Sequence, residues 1–136
     1  MDLLHELHPQ AQRIAGLLRE RGEQIAIADG ATGGLLAATM LTVPGALDFF
    51  VGGGVVYSLR ARDVLFDQPR QAYKGMRGAS EEYALLQARS IRDNFQAEWG
   101  LAESGSGRGQ QAPQRYTSGD ILCRARRAER RFHAHR

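Results

Sequence analysis

A chain of 136 residues with 43% hydrophobic and 24% charged content is one domain of ordinary globular composition. It has no apolar run near the roughly 20 residues that span a bilayer, and its start, MDLLHELHPQ, lacks the basic and apolar stretches of a secretory leader. A cytoplasmic protein without membrane contact is therefore expected. Cys123 stands alone, which excludes an intramolecular disulfide framework, and no Cys/His group has metal-ligand spacing: His5 and His8 are three apart without a second pair. The net charge of +3 hides a split. From Gly105 onward eight Arg face only Asp120 and Glu129, so the tail carries +6 and residues 1–104 carry −3.

In chain order, Leu3, Leu4, Leu7, Ala11, Ile14, Ala15, Leu17 and Leu18 recur at helical spacing, predicting an amphipathic helix from Asp2 to about Arg21. Pro9 either kinks it or moves its start toward residue 9, and Gly22 is placed as a C-cap. Gln24–Ala28 predicts a short buried strand. The turn Asp29-Gly30-Ala31-Thr32-Gly33-Gly34 follows, then a helix over Leu35–Leu41 that stops at Pro44-Gly45. Phe49–Tyr57 is strand-like, with a bulge or kink expected at Gly52-Gly53-Gly54. A short helix over Leu59–Phe66, a loop over Asp67–Gly78, a helix N-capped by Ser80 and running to about Ala97, and a strand over Gly100–Ser104 complete the patterned part.

A strand that feeds a glycine-rich turn and then a helix is a physical solution for holding an anion. The first helical N–H groups lack intrahelical partners, and glycine lets a phosphate or oxyanion approach the backbone. Thr32 adds a hydroxyl, and Asp29 adds a carboxylate for a ribose hydroxyl or an orienting contact. The turn lacks the Gly-Lys-Ser/Thr of a Walker loop and the full GxGxxG fingerprint, so tight helix packing is the competing reading. Gly52-Gly53-Gly54 before Tyr57-Ser58 is a second place where backbone could meet ligand, with a bulge beside close helix packing as its alternative.

The run ADGATGGLLAATMLTVPGALDFFVGGGVVYSLRARDVL resembles the C-terminal domain of the CinA family of competence/damage-inducible proteins. That family's pattern is roughly A-E-S-x-T-G-G-L, then V-P-G-(S/A)-x-x-(Y/F)-F, then G-G-x-x-(A/V)-Y-(S/T)-x-x-x-K. The segment GASEEYALLQARSIRDNFQAEWGLAESGS resembles the later helix and the strand ending near T/S-G, so the likeness covers about residues 13–106. It implies a three-layer α/β/α sandwich and an amidohydrolase that deamidates nicotinamide mononucleotide to nicotinic acid mononucleotide, with no cofactor or metal. By position, it implies that Asp29, Thr32, Gly33, Gly34, Gly53, Tyr57 and Arg62 contact a pyridine nucleotide or related small phosphorylated ligand. A homo-oligomer is also allowed.

Two positions depart from the pattern. The family's nucleophilic serine falls on Gly30, and the lysine that serves as base falls on Arg62. A guanidinium stays protonated and cannot take the nucleophile's proton, although it can pair with a phosphate. Lys74, the only lysine, lies in the loop, and the hydroxyls of Thr32 and Ser58 have no identifiable activating base. Weak or absent hydrolysis is expected, with a non-catalytic nucleotide-binding relative as the alternative.

The tail departs as well. Residues 1–106 are expected to form the domain, incomplete at its C-terminal side by one strand and one helix, and residues 107–136 a basic arm without order. Arg supplies 17 of 18 basic residues, as GC-rich coding does, and an out-of-frame reading near Gly105 would produce such a tail. The missing strand would leave an aggregation-prone sheet edge. A nucleic-acid-associated arm has electrostatic grounds, but the single aromatic of its final Arg-rich run, Phe132, and the lack of a recognition motif weigh against it.

Overall fold

The computed structural model describes residues 2–66, 68–76 and 80–105, and the backbone of residues 121–127. Helix α1 spans Leu3–Arg21 and buries Ala11, Ala15 and Leu18, which share one face at the helical period. Its start is set by Asp2, whose carboxylate accepts the N–H groups of Leu4 and His5; Pro9 is carried inside the helix, and Gly22 ends it in a left-handed conformation. Strand β1 (Ile25–Asp29) is buried throughout, as a central parallel strand must be. Next come α2 (Leu35–Leu41), β2 (Phe50–Val55), α3 (Leu59–Leu65), α4 (Glu81–Asn94) and β3 (Trp99–Gly105). Short 3-10 turns at Ala46–Asp48 and Arg70–Tyr73 occupy the intervening loops.

The sheet order is β2-β1-β3-β4, with β1 parallel to both β2 and β3. Alternation along β1 sends its side chains into two separate cores. Ile25 and Ile27 pack with Ala11, Ala15 and Leu18 of α1 and with Met40, Val43 and Phe49 around α2. Ala26 and Ala28 pack with Ala88 and Ile91 of α4 and with Val56, Phe66 and Tyr73 around α3. Helices thus cover both faces, and the fold is a three-layer α/β/α arrangement. Small residues on the second face let α4 lie close to the sheet.

The expected irregularity at Gly52–Gly54 takes the form of a bulge. Ile25 pairs with Phe50 but Ala26 pairs with Gly52, so Val51 is skipped in the register. Beyond it, a side chain on Gly53 would place its Cβ 1.7 Å from the carbonyl oxygen of Ile27. Glycine is therefore required at residue 53 for β2 to approach β1 at all.

The expectation that the sheet lacks its last strand is corrected. Strand β4 (Ile121–Arg127) lies antiparallel to β3 and pairs with all seven of its residues, from Trp99↔Arg127 to Gly105↔Ile121. Such a strand is held by main-chain hydrogen bonds, which an Arg-rich sequence forms as well as an apolar one. Its own apolar run, Ile121-Leu122-Cys123, is only three residues long and stands in an Arg-rich stretch, so hydrophobic patterning marks it weakly. The far edge of β3 is paired rather than open, so the aggregation liability expected there is relieved. The rest of the expected basic arm, residues 107–120 and 128–136, lies outside the described residues, as does any final helix. Among the described residues no helix is long and apolar enough to cross a membrane.

Candidate functional site

In the order β2-β1-β3, the chain leaves β1 through α2 on one face of the sheet and reaches β3 from α4 on the other. The carboxyl ends of β1 and β3 flank such a switch point, where open α/β sheets form crevices. The register carries the rest. Ala28 pairs with Ala102, so Asp29 and Glu103 are the next residues on adjacent parallel strands. Both project to the α2 face, which Ile27 and Leu101 also contact, and both are almost fully buried at 1% and 0% exposure.

Two carboxylates side by side in a core need donors, and the glycine-rich turn supplies them. Asp29 Oδ1 accepts the Leu36 N–H at 2.9 Å, and Oδ2 accepts the Ala37 N–H at 3.1 Å, so Asp29 caps α2 from seven residues away. Glu103 Oε1 accepts the N–H of Gly30 in a short hydrogen bond and that of Thr32 at 2.9 Å. The Thr32 hydroxyl lies 2.7 Å from Glu103 Oε1 and 2.9 Å from Asp29 Oδ1, and with one proton it donates to one of them at a time. Glu103 Oε2 is buried without a partner. Of the donors that sequence reasoning assigned to a ligand's anion, the Thr32 N–H and hydroxyl and the N–H groups of Leu36 and Ala37 are therefore taken by the protein's own carboxylates, and the Gly33 N–H by the Gly30 carbonyl at 3.0 Å.

The opposite face of the same turn opens into a pocket of about 150 Å³. Gly30 and Ala31 form one wall, Ser104 and Gly105 another, and Tyr57, Arg62, Met76 and Tyr83 close it. Ser104 follows Glu103 and so points to the other side of β3; strand parity separates the pocket from the buried carboxylates. Ser58 caps α3 by accepting the Ala61 N–H at 3.1 Å, which fixes the helix that carries Arg62. The Arg62 guanidinium lies 4.0 Å from the centre of the Tyr73 ring and pairs with Asp63 at 3.3 Å, while its buried Nε–H has no partner. Burial pushes the Tyr73 hydroxyl above its ordinary value of 10.0, against the smaller opposing pulls of the Ser90 hydroxyl and the Arg62 charge.

Of the residues singled out in the sequence, Gly30, Tyr57 and Arg62 meet in this pocket. Asp29 and Thr32 lie beneath it in the buried network; Gly33 and Gly34 shape the turn with φ of 69° and 110°; Gly53 serves the β1–β2 contact. Lys74 is exposed and outside the pocket lining. Glu103, Ser104, Met76 and Tyr83 were missed. Glu103 did leave a signal: an acidic residue inside the otherwise apolar strand WGLAESG has to be either paired or functional.

At Gly30 the geometry is restrictive. A Cβ there would lie 2.8 Å from the backbone carbonyl oxygen of Glu103 and 3.5 Å from each of its carboxylate oxygens. The space for a side chain at residue 30 is thus closed by β3 itself. Among the described residues no three His, Cys, Asp or Glu side chains group as a metal ion would need.

The CinA C-terminal domain model matches residues 7–135, past the point where the sequence motifs fade. A CinA-like protein of Synechococcus sp. (strain CC9902) is 35% identical over 89 residues, covering 65% of this chain and 21% of its own length. One from Prochlorococcus marinus is 36% identical over 92 residues, covering 68% and 22%. The chain spans about a fifth of the length of these curated relatives. Among solved structures, the competence/damage inducible protein CihA from Agrobacterium tumefaciens superposes with a TM-score of 0.79 at 20% identity, over 89% of this chain and 73% of that one. The CinA superfamily protein from Enterobacter cloacae gives 0.71 at 22% identity, over 90% and 79%. A family match across nearly the whole length, on a fold shared with solved members, establishes that the chain belongs to the CinA C-terminal domain family.

Proposed function

We propose that the pocket formed by Gly30, Tyr57, Arg62, Tyr83 and Ser104 binds a pyridine nucleotide, or a closely related small phosphorylated ligand, and that the chain does not hydrolyse it through an acyl-enzyme. Family membership supports the ligand class, by the resemblance set out above. The observation that carries the reading is the pairing of a closed side-chain position at Gly30 with an arginine, Arg62, in the wall of the same pocket. Gly30 has no side chain to attack with, and β3 blocks the space in which one would sit. Arg62 cannot act as a base, but its guanidinium lines the pocket as a fixed positive charge, which suits a phosphate. The volume of about 150 Å³ holds a group the size of one six-membered ring, with Tyr57 and Tyr83 beside it.

Binding without turnover follows physically. Removing one member of a nucleophile–base pair disables the pair and leaves binding largely untouched. The test is a calorimetric titration with nicotinamide mononucleotide against the native chain and an Arg62→Ala variant. Saturable binding by the native chain, weakened on the order of tenfold in the variant, is the expected result. Absence of heat from both would sink the ligand assignment.

A further inference from the structure

Three donors of the turn converge on one atom. The N–H groups of Gly30 and Thr32 and the Thr32 hydroxyl all reach Glu103 Oε1, and none of them belongs to the first turn of α2, whose Leu36 and Ala37 N–H groups go to Asp29. A carboxylate held by two backbone amides and a hydroxyl is bound as an exogenous anion would be. Here the anion is covalently part of β3. Its burial is also lopsided, because Oε2 is enclosed with no partner. A carboxylate with one unsatisfied oxygen is a costly way to fill space in a strand, which points to the three-donor contact as the feature it serves.

We propose that the turn Gly30–Thr32 is an anion-binding site whose resident ligand is the Glu103 side chain. Its presence decides which groups of an external ligand the turn accepts. The wild-type turn refuses carboxylates, phosphates and developing oxyanions, and withdrawing Glu103 converts it into a site for a small exogenous oxyanion such as formate. This places the anion contact of any ligand on the Arg62 side of the turn, across β3 from Glu103. In that last respect alone it rests on the nucleotide reading; the occupancy of the turn stands without it.

Chemical rescue tests the proposal with neither nucleotide nor Arg62 involved. Thermal unfolding of the Glu103→Ala protein is followed with formate as the probe, together with amide resonances of Gly30 and Thr32. The vacated space should take formate, with a rise in Tm of about 5 °C at formate tenfold above its Kd and saturable movement of both amides. The wild-type protein should show neither effect. Glu103→Gln retains the volume and an acceptor oxygen, and should also ignore formate. An alanine variant that folds only when formate is present supports the proposal equally. It is overturned if formate neither stabilises nor refolds that variant, if the wild-type amides move with formate, or if the glutamine variant responds as strongly as the alanine one.

Discussion

Gly30 and Glu103 are a reciprocal pair. The amide of Gly30 is bound by the Glu103 carboxylate, and the direction in which residue 30 would carry a side chain runs into the Glu103 carbonyl, 2.8 Å from an ideal Cβ. One residue has no side chain at the place where the other brings a carboxylate in. This relationship decides what can be built at the site.

A serine at residue 30 is the obvious attempt to restore a nucleophile. It is expected to destabilise the fold, because the clash is with backbone in the middle of a paired strand and no side chain can swing away. The cost should be about 1–3 kcal/mol, as for other overpacked sites. Urea unfolding of Gly30→Ser and Gly30→Ala checks this, and the two should suffer alike since the Cβ is common to both. Adding Arg62→Lys should not produce hydrolysis while the strand blocks the hydroxyl.

Asp29 holds the start of α2 through two backbone N–H groups and shares the Thr32 hydroxyl with Glu103. Asp29→Ala leaves those buried donors unpaired and should cost about 2 kcal/mol or more, above the ~1 kcal/mol typical of an exposed cap. Asp29→Asn keeps one acceptor oxygen and should lose less. Denaturant midpoints would rank the two, and an alanine variant as stable as the native chain would contradict the capping role.

Tyr73 gives a pH dependence with a defined sign. Burial raises its hydroxyl above 10.0, so the folded protein favours the neutral phenol more than the unfolded chain does. Its contribution is fully present below pH 10 and is lost as pH rises through the elevated folded value. Stability measured from pH 9 upward should therefore fall in the native chain, and the part due to Tyr73 should vanish in Tyr73→Phe, which retains the ring under Arg62. Equal alkaline slopes for the two proteins would show that Tyr73 does not titrate this way.

Arg19 ties α1 to the Pro44-Gly45 turn by donating to the Pro44 carbonyl at 2.7 Å and the Gly45 carbonyl at 3.2 Å, with its guanidinium 5.0 Å from the Phe49 ring. Its 3.2 Å pair with Asp48 is exposed and should matter little. Arg19→Ala is therefore expected to cost about 1–2 kcal/mol, and Asp48→Ala only a few tenths. Parallel thermal melts separate the two contributions.

Much of the fold is legible in the sequence because its signals are local. The helical spacing in α1, the apolar run of β1, the Ser58 and Ser80 caps and the triple glycine each mark an element within a residue or two. Strand β4 is hardly legible, since its apolar run is only Ile121-Leu122-Cys123 and the rest of it is defined by pairing with β3. The site is half legible. Motif spacing brings Gly30, Tyr57 and Arg62 to attention, and the structure sets them in one pocket. The function of the turn's donors is hidden, because Glu103 reaches them across 71 to 73 residues of chain. Only the register of β1 against β3, a long-range property, sets Glu103 beside Asp29.

The most direct test of binding without turnover is ammonia release. The full chain, at a concentration that saturates with nicotinamide mononucleotide, is incubated for hours and compared with a protein-free control. Ammonia and nicotinic acid mononucleotide are expected to stay at the control level while the nucleotide remains bound. Steady production of both, abolished when Arg62 is replaced by alanine, would contradict the account.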